Sequence, residues 1–165
     1  LPGAAVIGTM DGGFAPLEAA VDRAIGAHLA EAVGCMETLR DTTLAYLKTR
    51  EQFGATLGSF QALQHRMVDM AIAFEEARSL LYLATLQLDA PALARRRAVS
   101  AAKARIGQCA MFVAEQAVQL HGGVGTSDEL AVSHHLRRLR VIDVLYGDAE
   151  HHRRRFAAAT DAMAA

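Results

Sequence analysis

Trp is absent from the 165 residues, and Pro, Cys and Tyr are scarce, at three, two and three copies. With so little Pro, and with Ala, Leu, Arg and Glu abundant, the composition favours helices. Neither sign of charge is in excess: the formal net charge is -1. That balance excludes a dedicated nucleic-acid binder, which needs surplus Lys and Arg. No apolar run reaches the length that spans a membrane. The two cysteines, Cys35 and Cys109, both fall in apolar helical stretches and read as small buried hydrophobes of a reducing compartment, which places the protein in the cytoplasm. Alternation of the strand type is missing beyond the first ten residues, and there is no internal repeat. The chain begins with Leu. Its opening run, Leu1 to Gly8, is apolar but carries no basic leader, so it reads as the end of a preceding domain. On this reading residues 1–16 are the tail and linker of a missing middle domain, and residues 17–165 are one helical domain.

Helical periodicity is what remains. A long pattern runs from about Leu17 to Thr49, with Leu29, Val33, Met36, Leu44 and Leu47 on its apolar side. Two glycines, Gly54 and Gly58, break it, and Ser59 is the expected N-cap of the next helix. There Phe60, Leu63, Met67, Met70, Phe74, Ala77 and Leu81 step by three and four, a seam that faces other helices. Its methionines read as core rather than a ligand groove. Asp89-Ala90-Pro91 ends this helix and starts another. The third carries Val99, Ala102, Ile106, Cys109, Val113, Ala117 and Leu120 on one face, and stops at His121-Gly122-Gly123-Val124-Gly125. A fourth runs from about Asp128 to Leu145 through Val132, Leu136, Leu139 and Ile142. Gly147 interrupts it, and Asp148 caps a last short helix to about Ala162. Long helices with short connections give an all-α, antiparallel four-helix bundle with a short extra C-terminal helix.

Two loops have the chemistry to meet a ligand. Glycines at 122, 123 and 125 allow close backbone approach, and free amides there suit a phosphate; a plain helix C-cap and turn is the alternative. Arg50 and Phe53 place a guanidinium and an aromatic ring at a helix end, where Arg can pair with phosphate and Phe can cover a ring; a surface Arg and a core Phe would look the same. The arginine runs 95–97 and 153–155 read as solvated helix faces. Neighbouring histidines on a helix diverge by about 100°, so His134-His135 and His151-His152 are poor chelates, and no metal site is expected.

Tyr46-Leu47-Lys48-Thr49-Arg50-Glu51-Gln52-Phe53-Gly54, then Ser59-Phe60-Gln61, then Gln64 and Met70, resembles the start of the acyl-CoA dehydrogenase C-terminal domain. Gln119-Leu120-His121-Gly122-Gly123-Val124-Gly125, followed by Glu129, resembles its second signature. Together they cover about Leu17 to Ala158 in the right order. The resemblance implies FAD at a subunit interface, an acyl-CoA substrate, an electron-transfer acceptor and a homo- or hetero-oligomer. It also implies that Arg50, Phe53 and Gln61 touch the FAD of a neighbouring subunit, and that Gln119, Gly122 and Gly123 lie along the dinucleotide.

The base that takes the substrate's α-proton departs from the pattern. In most of the family it is a Glu, and here that position is Tyr146; a phenol, with a reference pKa of about 10, is a poor resting base. The alternative Glu position, on the first long helix, falls near Ala24. Asp148, two residues beyond Tyr146, is the nearest acid. It stands where the family often has a Thr near the cofactor, so it is a candidate both for cofactor contact and for a relocated base. The family's Arg-Asp pair reads Arg137-Arg138. The run Gly147-Asp148-Ala149-Glu150-His151-His152 is similar to small subunits of pimeloyl-CoA dehydrogenase and related two-subunit enzymes, which implies that a partner supplies the Glu. Two other functions fit the same fold: a flavin monooxygenase, which needs no α-proton base, and a purely structural subunit.

Overall fold

The computed structural model describes residues 3, 8–9 and 11–164. Most of residues 1–10, read above as the end of another domain, therefore lie outside the described residues. Five helices follow: α1 (Phe14–Thr49), α2 (Gln61–Leu86), α3 (Ala92–His121), α4 (Ala131–Val144) and α5 (Ala149–Ala164). A two-residue hairpin, β1 (Glu51–Gln52) and β2 (Ala55–Thr56), joins α1 to α2. These strands escape the sequence reading because a two-residue strand has no room for alternation.

The helices run up, down, up, and the last leg is shared by α4 and α5 in series. α3 sits centrally, packed on the other four. Its predicted face, Val99 to Leu120, is buried at every named position. Burial extends around much of the helix, to Ser100, Lys103, Ala104, Gly107, Ala110 and Ala114, because partners stand on several sides. α4 has 14 residues and α5 has 16, so the last helix is not a short appendix. The two together form the bundle's fourth leg, α4 along the C-terminal half of α3 and α5 along its N-terminal half. Gly107 lets α4 come close: a Cβ there would meet Asp143 Oδ1 at 2.5 Å.

The α2 seam is buried at Met70, Phe74 and Ala77, while Leu63, Met67 and Leu81 are half-buried at its margin. Of the predicted α1 positions, Leu44 is instead exposed. Three boundary residues behave differently from expectation. Ser59 does not cap α2: its hydroxyl donates to the Thr56 carbonyl within a 3-10 turn, and Phe60 is the cap residue. Pro91 is the cap residue of α3 rather than its first helical position, its ψ of 149° being extended rather than helical. Asp128 lies ahead of α4, which starts at Ala131. Asp148 does cap α5, its Oδ1 accepting the His151 amide at 2.8 Å.

The arginine runs are only partly solvated. Arg95 Nε reaches Asp22 Oδ2 at 3.0 Å, Arg96 grips both oxygens of Glu18 at 2.8 Å, and Arg155 bridges Glu18 and Asp22 at 3.1 and 2.7 Å. Asp22 is 0% exposed. Charges at this depth persist because each is paired and hydrogen-bonded. The cluster ties α1, α3 and α5 together, whereas Arg97, Arg153 and Arg154 stay at the surface.

Candidate functional site

The two signature blocks meet at one end of the bundle. α1 ends there, α2 begins there and α3 ends there. Between them is an open cleft of about 670 Å³, lined by Tyr46, Arg50, Gln52, Leu57, Ala62, Leu63, Arg66 and the run Gln119 to Val124. Each wall has a local cause. Tyr46 and His121 stack, ring centroids 4.4 Å apart, and His121 Nδ1 is bonded to the Ala117 carbonyl at 2.8 Å. This pair pins the end of α1 to the end of α3. Gly122 takes φ 66° and ψ -146°, a region open to glycine and strained for other residues, and so turns the chain out of α3. Gly125 packs its Cα onto α3, where a Cβ would lie 2.6 Å from the Val118 carbonyl oxygen.

Four of the predicted cofactor residues, Arg50, Gln119, Gly122 and Gly123, therefore line a single cleft. Phe53 and Gln61 do not line it. Phe53 stands at the tip of the hairpin with φ 57°, followed by Gly54 at φ 79°, the left-handed pair of a two-residue turn. Its ring is 90% exposed, presented away from the chain's own core. Gln61 is exposed at the start of α2. Electrostatics favour an anion in the cleft. Two arginines line it and no acid does. Arg50 has no carboxylate partner among the described residues, and Arg66 is bonded only to Gln116, at 3.3 Å. A guanidinium with free N–H groups beside a glycine turn is suited to a diphosphate.

Tyr146, Asp148 and Ala24 lie elsewhere, on the flank of the bundle. The α4–α5 elbow, Leu145 to Asp148, holds Tyr146 at φ 61° and Gly147 at φ 105°. Three side chains fix this bend. Lys103, buried on α3, donates to the carbonyls of Ile142 and Asp143 at 2.9 and 2.8 Å, closing the end of α4. His152, also buried, has Nε2 3.1 Å from the Tyr146 carbonyl, which makes Nε2 the donor. Asp148 caps α5, and the His151 amide holds its carboxyl below the usual range. Burial pushes the Lys103 ammonium down and the His152 imidazole down to about 4. Burial also pushes the Cys109 thiol up to about 11, so it stays an unreactive thiol.

Tyr146 is half-exposed beside a smaller cavity of about 240 Å³ between α1 and α5, lined also by Leu17, Val21, Ile25, His152 and Glu18, whose carboxylate is taken up by Arg96 and Arg155. Ala24 lies on the neighbouring strip of α1. No carboxylate replaces the missing Glu at either position. Ile25 and Tyr46 are 21 residues apart on α1, so the flank cavity and the end cleft are separated by roughly 30 Å. Among the described residues no group of three His, Cys, Asp or Glu side chains gathers as metal ligands, and no helix is long and apolar enough to cross a membrane.

Residues 11–160 match the family model for the acyl-CoA dehydrogenase C-terminal domain. The protein named probable acyl-CoA dehydrogenase FadE25 of Mycobacterium tuberculosis is 32% identical over 147 residues, 89% of this chain and 38% of that protein. Among solved structures, butyryl-CoA dehydrogenase from Megasphaera elsdenii superposes with a TM-score of 0.78 at 29% identity, over 84% of this chain and 36% of that one. The FAD complex of PigA superposes with a TM-score of 0.74 at 29% identity, over 81% and 34%. The chain thus spans less than two-fifths of the length of these relatives.

Proposed function

Because the chain belongs to the acyl-CoA dehydrogenase family, as its C-terminal domain, we propose that it forms one wall of an FAD site in a flavoprotein that dehydrogenates an acyl-CoA thioester between its α and β carbons. The observation that carries this reading is the convergence of Arg50, Gln119, Gly122 and Gly123 on one acid-free cleft. Arg50 and Arg66 would hold the diphosphate and the 122–123 turn would lie along the dinucleotide, while the flavin itself supplies the hydride acceptor when bound. Two features support a site shared between subunits. Phe53 projects from the hairpin tip, 90% exposed, with only an edge contact to Phe60 at 6.3 Å between ring centroids, so most of its ring is open to a partner. The end cleft and the Tyr146 cavity are also too far apart along α1 to belong to one compact active site, so each would be completed by other parts of the assembly.

The acyl pocket would sit on the flank, at Tyr146 and Ala24. Since neither is a carboxylate, the proton acceptor would come from elsewhere: from a partner subunit, as the resemblance of residues 147–152 implies, or from another residue of this chain. Arg50→Ala in the full-length protein tests the flavin assignment. It should purify with less bound FAD, seen as lost visible flavin absorbance per polypeptide, with oligomer size and melting temperature unchanged. Retention of stoichiometric FAD would refute it.

A further inference from the structure

The two positions at which the family places a Glu flank a third side chain. His28 is one turn beyond Ala24 on the same face of α1. Its ring centroid is 5.8 Å from that of Tyr146, on the elbow opposite. Neither an alanine nor a neutral phenol accepts a proton well, but an imidazole does. The ring is held by a second residue. His28 Nδ1 lies 3.4 Å from Glu31 Oε2. Glu31 is gripped in turn by Arg138 from α4, whose Nε and Nη2 each bond one of its oxygens. These bonds hold the Glu31 carboxyl below the usual range against the opposing effect of burial, so it is an acceptor. A carboxylate facing Nδ1 selects the Nδ1–H tautomer and leaves the Nε2 lone pair bare. Arg138 stands where the resemblance places the Asp of an Arg-Asp pair, and here it binds Glu31 instead.

We propose that His28 is the proton acceptor of this chain's own acyl pocket, with Glu31 as the residue that positions it and Arg138 holding Glu31; the proposal rests on the dehydrogenase reading above. In the step, the thioester's Cα–H bond breaks and the proton forms an N–H bond at His28 Nε2. The bonding pair stays on carbon as the enolate, and His28 becomes a cation beside the Glu31 anion. Oxidation of the adjacent carbon belongs to the flavin.

The test uses the full-length protein with whatever subunits copurify, and butyryl-, octanoyl- and palmitoyl-CoA as probes. Exchange of the α-hydrogens with D2O is read by mass spectrometry beside turnover, flavin absorbance and acyl-CoA binding. His28→Gln should lower exchange and turnover at least about 100-fold, with flavin content and acyl-CoA affinity kept within about threefold. His28→Asn is the second variant if the first lowers the melting temperature. Adding Ala24→Glu to His28→Gln should restore part of the exchange, because it puts a carboxylate one turn away. Glu31→Gln should give a smaller loss and shift the 15N signals of His28 away from the Nδ1–H tautomer, which a merely structural role would not do. Exchange kept within about threefold in both His28 variants would overturn the proposal. A wild-type protein that neither exchanges nor oxidises any of the three thioesters would overturn the dehydrogenase reading and this inference with it.

Discussion

Asp22 lies in the chain's buried charge cluster, held by Arg95 and Arg155 and fully out of water. An ion set of this kind is weak evidence for stability as a whole, but removing one member leaves the others uncompensated. Asp22→Asn keeps the side chain's shape and removes the charge. It should cost about 3 kcal/mol, read as a lower urea midpoint with an unchanged slope. Little of this cluster was legible in the sequence. A run of arginines looks the same whether it meets solvent or acids, and Glu18 and Asp22 are contributed by a helix more than 70 residues away in sequence from Arg95 and Arg96. Lys103 carried a fainter signal. It sits four residues after Val99 and three before Ile106, inside the apolar strip, where a cation must find acceptors; it finds the last carbonyls of α4. The residues that meet at the end cleft were legible for a different reason. Arg50, Gln119, Gly122 and Gly123 belong to two contiguous signatures, each at a helix end, and helix ends are where glycine and arginine spacing is most constrained.

At the scale of the element, the α4–α5 elbow decides how the flank cavity is shaped. Gly147 was readable as a break, and Asp148 as a cap. The three-dimensional reinforcement by Lys103 and His152 was not, because nothing in the sequence pairs residue 103 with 142 or says which histidine of the doublet faces inward. His152 makes the elbow sensitive to acid. Its folded-state pKa of about 4 is below the ordinary value of 6.5, so between those values the unfolded chain binds a proton that the folded chain excludes. Stability is therefore whole above about pH 6.5, falls as the pH drops through this window, and levels off below about 4, for a loss of at most about 3 kcal/mol. Urea unfolding at stepped pH should follow this course, and His152→Gln should flatten that part of the profile. An equal slope in the variant would assign the effect to other groups. The hairpin before α2 gives the converse lesson. Phe53 falls in a sequence that could equally bury its ring, and only the left-handed turn at 53–54 puts that ring into solvent.

For the whole molecule, the helix order and the central face of α3 followed from apolar periodicity, and the split fourth leg followed from one glycine. What periodicity could not give was which helix is central, since that depends on how many partners surround it; α3 is buried well beyond one stripe because α1, α2, α4 and α5 all pack on it. This arrangement has a functional consequence. α1, α2 and α3 end together and make the end cleft, while α1 and the elbow make the flank cavity, roughly 30 Å away along the same helix. The central claim is that the end cleft receives the dinucleotide. Hydrogen–deuterium exchange of the flavin-depleted full-length protein, with and without added FAD, tests it most directly. FAD should slow exchange of the amides in residues 46–66 and 119–124, which line or border that cleft; unchanged exchange in both segments while FAD is bound would contradict the account.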